Sequence, residues 1–297
     1  DFLNFCHTLT AATVQNGAER LTAAALKRLL RARRGTPTFI ADTFAGIFYT
    51  PEDLALLDRV SANIEAIESP ACRAVARAAL IRSCAKRQPR GVFTVADPTR
   101  YQDGRRDLRL SLEEHFVEQA DAYNAAVFDN GRENRSLRAD ALEVEAGEVD
   151  LVYLDPPYVP RADDNCYVKR YHFLEGLSCY WRGLEVRADT KVKKIAKRHT
   201  PFSYRSTAVE AFDRLFARFG AATLVLSYSS NGYPDLEVLV ERMRRFRKRV
   251  KVHRRDHRYH FGTHGAVKRA AVEEYLIVGT VARSPSGEVE PPPQGQR

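Results

Sequence analysis

The sequence of 297 residues has few of the features that mark secreted, metal-binding or membrane proteins. Its five cysteines are scattered and odd in number, and no C-x-x-C pair occurs, which argues against a zinc site. We therefore expect reduced thiols in a cytoplasmic protein. No apolar run approaches the length of a membrane span and no signal peptide is visible, so no membrane partner is expected.

The sequence has fewer acidic residues than basic ones, 38 Asp and Glu against 47 Lys and Arg. The formal net charge is +9, which favours a polyanionic partner, with nucleic acid first. A charge surplus that serves solubility alone is the alternative. The length and an apolar content of 44% allow one large globular domain or two smaller ones.

The most informative run is Asp-Leu-Val-Tyr-Leu-Asp-Pro-Pro-Tyr, at residues 150–158. Leu151–Leu154 is apolar and contains β-branched and aromatic residues, a pattern typical of a buried strand. Two consecutive prolines cannot continue a β-ladder, so the strand should stop at Asp155. Asp155 and Tyr158 are therefore expected at the carboxyl end of a strand, where open α/β sheets bind ligands.

These residue types suit the recognition of a planar group that carries an amino group. Asp155 adds a carboxylate acceptor to the Pro156 carbonyl, and both can accept hydrogen bonds from an NH2 group. Tyr158 offers a flat ring for stacking, and an adenine flipped out of a duplex has the matching shape and donors. The alternative is a Pro-Pro turn in which Asp155 is a turn residue and Tyr158 packs at the rim.

The Asp-Pro-Pro-Tyr run resembles the catalytic motif of the amino-methyltransferases, and specifically that of the DNA adenine methylase (Dam-like) family. Flanking segments in the same order share this resemblance, up to about Val281: Asn134–Leu142, Tyr171–Glu175, Phe202–Arg205, Leu224–Ser230 and Glu273–Gly279. The resemblance implies an α/β fold with a Rossmann-like methyltransferase sheet and helices on both faces. It also implies S-adenosyl-L-methionine as methyl donor and double-stranded DNA as substrate. The catalytic residues that it implies are Asp155, Pro156, Pro157 and Tyr158.

The resemblance further implies that three acids contact the cofactor. Asp1 matches the acid that holds the ribose of S-adenosylmethionine, and Asp140 matches a residue that meets its adenine. Asp155 is assigned to the cofactor site as well. A frayed helix N-terminus is the alternative for Asp1, and a turn or cap is the alternative for Asp140.

The Phe-x-Gly-x-Gly cofactor loop of the family has no counterpart here, since no G-x-G occurs before Asp155. Such a loop lets the backbone come close to the cofactor. We therefore expect the first two strands of the sheet and this loop to be missing, and the chain, which begins at Asp1, to be processed or a fragment. A second polypeptide that supplies the loop is one hypothesis. An inactive or half-enzyme DNA-binding fragment is the alternative.

The order of the segments predicts three regions. The catalytic core is expected to comprise residues 1–30 and 134–282. A mostly helical target-recognition region is expected at residues 31–133. Residues 283–297 are rich in Pro, Gly and Ser and are predicted to be disordered.

Local patterns predict the individual elements. Cap residues followed by Pro or an acid predict helix starts after Thr50, Ser69 and Ser111. Apolar periodicity predicts helices over residues 1–30, near Ala208–Phe219 and from Pro234. Apolar and β-branched runs predict further strands at Ala222–Tyr228, Val250–Val252 and Val272–Val281.

Three basic segments, residues 86–110, 191–198 and 242–258, are the predicted DNA contacts. The candidate side chains are Arg87, Arg90, Arg105, Arg106, Lys193, Lys194, Lys197, Arg254 and Arg255. Solvated surface loops are the alternative for the first two segments, and a solvated helix face is the alternative for the third. The histidines that accompany the third segment do not have spacings that compel a metal site, and no metal is expected.

Methyl transfer to an exocyclic amine requires alignment of amine, methyl and sulfur, and no covalent enzyme intermediate. In our hypothesis, Asp155 and the Pro156 carbonyl accept the two amine protons while Tyr158 stacks on the extruded base. No cysteine is placed for the covalent cytosine-ring mechanism. The same chemistry permits methylation of the cytosine amine, although the Asp before the two prolines favours adenine through the resemblance. The basic segments do not distinguish DNA from RNA.

Overall fold

The computed structural model describes residues 1–89, 91–96, 104–145, 147–160, 165–259 and 270–281. Arg90 and the predicted tail 283–297 lie outside the described residues. The protein is a mixed α/β structure that divides into two compact units. The helical unit comprises Asp1–Val144, Cys166–Thr200 and Tyr259–Ala270, and the sheet unit comprises Glu145–Asn165, Pro201–Arg258 and Ala271–Arg297.

The described part of the helical unit contains eight α-helices. They are α1 (Asn4–Thr10), α2 (Ala23–Leu30), α3 (Phe39–Thr43), α4 (Pro51–Glu65), α5 (Pro70–Lys86), α6 (Arg106–Arg109), α7 (Leu112–Ala126) and α8 (Tyr167–Cys179). A π-helical turn, Ala11–Gln15, follows α1 directly. Buried aromatic side chains fill the interior, where Phe173 meets Phe44 edge-on at 4.9 Å and stacks on Phe93 at 5.1 Å.

Three helix starts follow from cap residues, as the sequence predicts. The hydroxyl of Thr50 accepts a hydrogen bond from the third residue of α4, and Ser69 does the same for α5. Ser111 forms a capping box, in which its hydroxyl accepts from the Glu114 N–H and the Glu114 carboxylate accepts from the Ser111 N–H. Each cap satisfies a backbone donor that the helix leaves unpaired, so these predictions are confirmed.

The prediction of a single helix over residues 1–30 is wrong in the middle of that range, between α1 and α2. The chain turns at buried Asn16, whose side-chain oxygen accepts from the N–H groups of Ala18 at 3.2 Å and Glu19 at 2.9 Å. The Asn16 amide also donates to the Glu19 carbonyl at 2.7 Å. A short polar side chain that bonds neighbouring backbone groups in this way competes with the helix.

The sheet unit contains the four described strands, in the order β1-β2-β4-β3. They are β1 (Leu151–Leu154), β2 (Thr223–Ser229), β3 (Arg249–Tyr259) and β4 (Ala270–Thr280). β1 runs parallel to β2, and β2 runs antiparallel to β4, so the sheet is mixed. The predicted strands are confirmed, and the strand predicted at Val250–Val252 is longer than expected.

Two α-helices of the sheet unit precede β2 and β3, and they are α9 (Arg205–Arg218) and α10 (Leu236–Arg244). The helix predicted from Pro234 begins two residues later, at Leu236, with Asp235 in the N-cap position. Gly279 lies beneath α10, and a Cβ there would come within 2.6 Å of the Met243 sulfur. The glycine therefore allows helix and sheet to pack closely.

The two faces of the sheet differ in burial. Residues directly opposite one another in neighbouring strands share a face, and the face with Leu226 and Tyr228 is buried, with Phe212 of α9 meeting Tyr228 edge-on at 5.5 Å. The other face carries Leu151 and Tyr153, which are 57% and 58% exposed. The prediction that β1 is a buried strand is therefore wrong, because β1 is the edge strand among the described strands and its alternate side chains Leu151 and Tyr153 are exposed.

Candidate active site

The candidate catalytic segment Asp155–Tyr158 lies at the carboxyl end of β1, as predicted. β1 ends at Leu154, which pairs with Leu226 of the parallel strand β2. Asp155 is the next residue and is exposed, and Tyr158 is half-buried. The two prolines thus stop the strand at the point where a carboxylate can meet a ligand from outside the sheet.

Three contacts fix Tyr158. Its hydroxyl donates to Glu274 Oε2 at 3.2 Å. Its ring meets the ring of Tyr228 edge-on, with centroids 5.0 Å apart. Its backbone carbonyl accepts from the side-chain amide of buried Asn165 at 2.9 Å. Both ring and backbone are therefore held before any ligand binds.

The Tyr158 hydroxyl is a donor over the whole physiological pH range. Burial raises the pKa of Tyr158 to about 12, against the opposing hydrogen bond with Ser227, and the negative charges of Glu274 and Asp155 act in the same direction as burial. A neutral phenol carries one O–H donor, and Glu274 receives it.

The loop after the catalytic segment is pinned to Tyr228. The Tyr228 hydroxyl accepts from the Val159 N–H at 3.2 Å and donates to the Tyr233 carbonyl. The Tyr233 N–H in turn donates to the Val159 carbonyl at 2.9 Å. Gly232 makes this closure possible, because a Cβ there would lie 2.8 Å from Cε1 of Tyr228.

The carboxyl group of Asp155 has a raised pKa. Partial desolvation of its carboxylate raises its pKa above the usual value, and the negative charge of Glu274 raises it further. Glu274 lies in β4 opposite Ser229 of β2. Two carboxylates and a phenol therefore cluster at one end of the sheet, an arrangement that is common at functional sites.

Sequence reasoning missed Glu274 and Asn165 as site residues. The signal for Glu274 was present in the segment Glu273–Gly279, which shares the family resemblance. The strand register that brings it to Tyr158, 116 residues away in sequence, was not readable from that segment.

The helical unit brings the other two cofactor candidates together. The Ala139 N–H donates to the Asp1 carbonyl at 3.2 Å, which places Asp140 next to the start of the chain. Asp1 Oδ1 accepts from the Leu3 N–H, and Asp140 Oδ1 accepts from the Leu142 N–H, each at 2.9 Å. Both acids thus accept a hydrogen bond from a backbone N–H two residues on, as expected for the alternative turn or cap roles. The second carboxylate oxygen of each acid is a further acceptor.

Buried Glu175 holds the segment that follows Asp1. Its carboxylate accepts from the N–H groups of Asn4 and Phe5, at 3.1 and 3.2 Å, and from the Asn4 amide at 2.9 Å. These bonds satisfy orphan donors at the start of α1.

Among the predicted DNA contacts, those near α5 and α6 have partners inside the helical unit. Arg87 forms an ion pair with Asp53 at 3.2 Å and donates to the Leu108 carbonyl at 2.7 Å. Arg105 donates to the Pro89 carbonyl at 2.9 Å, and Arg106 pairs with Glu118. Arg87 is mostly buried, so these contacts give it a structural role within the fold.

The remaining DNA candidates are more accessible. Lys193 and Lys194 are half-buried, with Lys193 Nζ 3.2 Å from the Ala188 carbonyl, and Lys197 is exposed. Arg254 and Arg255 project from β3 and are exposed. Arg254 lies 3.9 Å from Glu273.

Two further findings are negative and concern the described residues only. In the part that the structure describes, no cluster of His, Cys, Asp or Glu side chains has the geometry of a metal site. Among the same residues, no helix has the length and apolar character that crossing a membrane requires.

Comparison with known proteins adds a family assignment to this geometry. Residues 58–228, more than half of the chain, match the model of the D12 class N6 adenine-specific DNA methyltransferases. The chain is similar to the Type II methyltransferase M2.HphI of Haemophilus parahaemolyticus, with 27% identity over 273 residues. That alignment covers 87% of this chain and 77% of the relative. No solved structure matches.

Proposed function

Because the chain belongs to the D12 class of N6 adenine-specific DNA methyltransferases, it transfers a methyl group from S-adenosylmethionine to adenine N6 in DNA, and we propose that Asp155–Tyr158 holds the reacting adenine. The family assignment agrees with the Type II methyltransferase relative. The observation that carries this proposal is an exposed carboxylate at the end of β1, followed three residues later by a ring that Glu274 and Tyr228 fix.

The proposed chemistry is a direct displacement. S-adenosylmethionine supplies an activated methyl group on a sulfonium. As the N6–methyl bond forms, the methyl–sulfur bond breaks with its electron pair going to sulfur, and N6 gives up one proton to the Asp155 carboxylate. Asp155 and the Pro156 carbonyl accept the two amine hydrogens, which directs the nitrogen lone pair towards the methyl. Asp155 is ionised in this role.

We assign base recognition to Tyr158. Its ring stacks on an adenine that has left the duplex, because the target amine cannot be reached inside the base stack. The bonds to Glu274 and Asn165 hold the ring and its backbone in advance. This pre-organisation lowers the entropy that the enzyme loses when it orders the base.

We assign cofactor binding to Asp1, Asp140 and Asp155. These three carboxylates suit S-adenosylmethionine, since carboxylate oxygens accept hydrogen bonds from ribose hydroxyls and from an adenine amino group. The bond between Ala139 and Asp1 supports a shared role for Asp1 and Asp140. A glycine-rich loop supplied by another segment or polypeptide remains our hypothesis for completing this site.

We also propose the finer architecture. The parallel pair β1–β2 is part of a Rossmann-like catalytic core formed by residues 1–30 and 134–282, and residues 31–133 form the target-recognition region. Lys193, Lys194, Lys197, Arg254 and Arg255 contact the phosphate backbone of double-stranded DNA. Reduced cysteines support a cytoplasmic location.

The test is a methylation assay on the full gene product with double-stranded DNA and isotopically labelled S-adenosylmethionine. Digestion of the DNA to nucleosides and mass spectrometry then identify the methylated base. We expect N6-methyladenine from the wild type and no product from Asp155→Ala, whose retained DNA binding and circular dichroism would show a folded protein. Asp150→Ala, a matched control at the start of β1, should retain activity.

The outcomes separate the alternatives. Full turnover by Asp155→Ala would overturn the role of Asp155. N4-methylcytosine as the only product would overturn adenine as the target, since the same acceptors suit that amine.

A further inference from the structure

Glu274 lies outside the range 58–228 that matches the family model, yet it contacts the candidate catalytic segment. It is half-buried near the start of β4, at a position paired with Ser229 near the end of β2. Its Oε2 receives the Tyr158 hydroxyl at 3.2 Å. The antiparallel pairing of β2 and β4 therefore delivers a second carboxylate to the end of β1.

The register places this carboxylate on the same side as Asp155. Leu154 is opposite Leu226, so Asp155 follows in line with Ser227, and opposite residues share a face. Glu274 is paired with Ser229, two residues after Ser227 and hence on that same face. The two acids are thus on one face of the sheet, the face that carries exposed Tyr153.

Hydrogen bonding alone does not require a carboxylate at this position. The neutral Tyr158 phenol donates this bond to Glu274, so a glutamine carbonyl would accept it equally well. A carboxylate adds a negative charge near Asp155, which disfavours a second negative charge there. The hydrogen bond and the charge are therefore two separable contributions of one side chain.

We propose that Glu274 is a positioning residue for adenine methylation, which fixes the Tyr158 ring through its hydroxyl and places a second negative charge beside Asp155. The proposal rests on the proposed function of Asp155–Tyr158. Glu274 touches neither the methyl group nor N6 in this scheme, and it acts through its two neighbours.

The other groups around Asp155 do not supply the same charge. β2 contributes Ser227 and Ser229 on this face, and Tyr158 itself is neutral. Glu273, the preceding residue of β4, points to the opposite face and lies 3.9 Å from Arg254 of β3. Glu274 is the charged group that acts on Asp155 among the described residues.

The charge contribution predicts a change in the pH profile. Asp155 must be ionised to accept the amine hydrogens, so activity is lost as the pH falls through its raised pKa. Glu274→Gln keeps an acceptor for Tyr158 but removes the charge, which lowers the pKa of Asp155. We therefore expect the acid limb of the kcat profile to move to lower pH, with KM for DNA close to that of the wild type.

The hydrogen-bond contribution predicts a different change. Glu274→Ala and Tyr158→Phe each remove the bond, so kcat/KM for target DNA should fall about tenfold in either variant, a typical loss for a hydrogen bond to a charged group. The double variant should lose little more than either single variant, because both remove the same interaction. Glu237→Gln, exposed in the first turn of α10, is the control for a lost surface charge and should match the wild type.

All variants are assayed as the full gene product, with circular dichroism and DNA binding as folding checks. An unshifted acid limb in Glu274→Gln, or wild-type kcat/KM in Glu274→Ala, would overturn the proposal while leaving the proposed function intact. Failure of the proposed function has a different signature, which is a wild-type product other than N6-methyladenine. The shift caused by Glu274→Gln would still be measured on that product and would decide the role of Glu274.

Discussion

Gly232 shows how a residue without a side chain can support the candidate active site. Its Cα approaches the Tyr228 ring so closely that an added Cβ would lie 2.8 Å from Cε1 and 3.2 Å from the hydroxyl oxygen. The same hydroxyl holds Val159, just after the catalytic segment. A methyl group at Gly232 would therefore move Tyr228 and, through it, the loop that carries Tyr158.

We expect Gly232→Ala to lower the free energy of unfolding by about 1–3 kcal/mol, the usual cost of overpacking, and to lower kcat. Chemical denaturation and the methylation assay measure the two effects. Gly17→Ala is a suitable control, because a Cβ there meets no atom closer than 3.8 Å. Unchanged kcat and stability in Gly232→Ala would show that the Tyr228 ring is not constrained in this way.

At the residue scale, local sequence predicted only part of the candidate site. Asp155–Tyr158 could be selected because its chemistry and its strand-ending prolines are adjacent in sequence. Glu274 and Asn165 could not, since Glu274 reaches Tyr158 from a strand 116 residues away and Asn165 reaches it through the path of the following loop. Their selection requires strand register and loop path, which single residues do not encode.

Single helix caps carry measurable stability at the element scale. Ser69 accepts a hydrogen bond from the Cys72 N–H at 3.1 Å and donates to Glu19, so it joins the start of α5 to the segment before α2. We expect Ser69→Ala to lower the free energy of unfolding by about 1 kcal/mol. Urea unfolding followed by far-ultraviolet circular dichroism measures this loss.

Ser206→Ala provides the comparison for that cap. Ser206 is exposed inside the first turn of α9 and does not occupy the cap position, so its change should stay within about 0.5 kcal/mol. Equal losses in the two variants would mean that the Ser69 hydroxyl contributes nothing specific to α5.

The success of sequence reasoning differed between kinds of element. Helix starts at α4, α5 and α7 were predictable because a cap is a local bond between residues three apart. The break after α1 and the exposure of β1 were not. Asn16 competes with the helix through its own side chain, and the burial of β1 depends on its edge position in the sheet.

At the scale of the whole molecule, part of the surplus positive charge lies at a defined place, on strand β3. The net charge of +9 alone is compatible with solubility or with a polyanionic partner. Exposed Arg254 and Arg255 of β3 give the proposed DNA contact a defined place in the sheet unit. Arg254 also lies near Glu273, so phosphate binding competes with a weak surface ion pair there.

Salt dependence distinguishes a local contact from the effect of total charge. If Arg254 and Arg255 each neutralise one phosphate, their joint replacement by Ala should lower the slope of log K against log salt by about 2, similarly for target and unrelated DNA. Lys27→Ala with Arg28→Ala removes the same charge from the exposed last turn of α2, outside the proposed DNA-contacting segments, and is the matched control. Fluorescence anisotropy over a range of salt concentrations measures both slopes. An equal loss in the two double variants would attribute DNA binding to net charge and remove β3 from the interface.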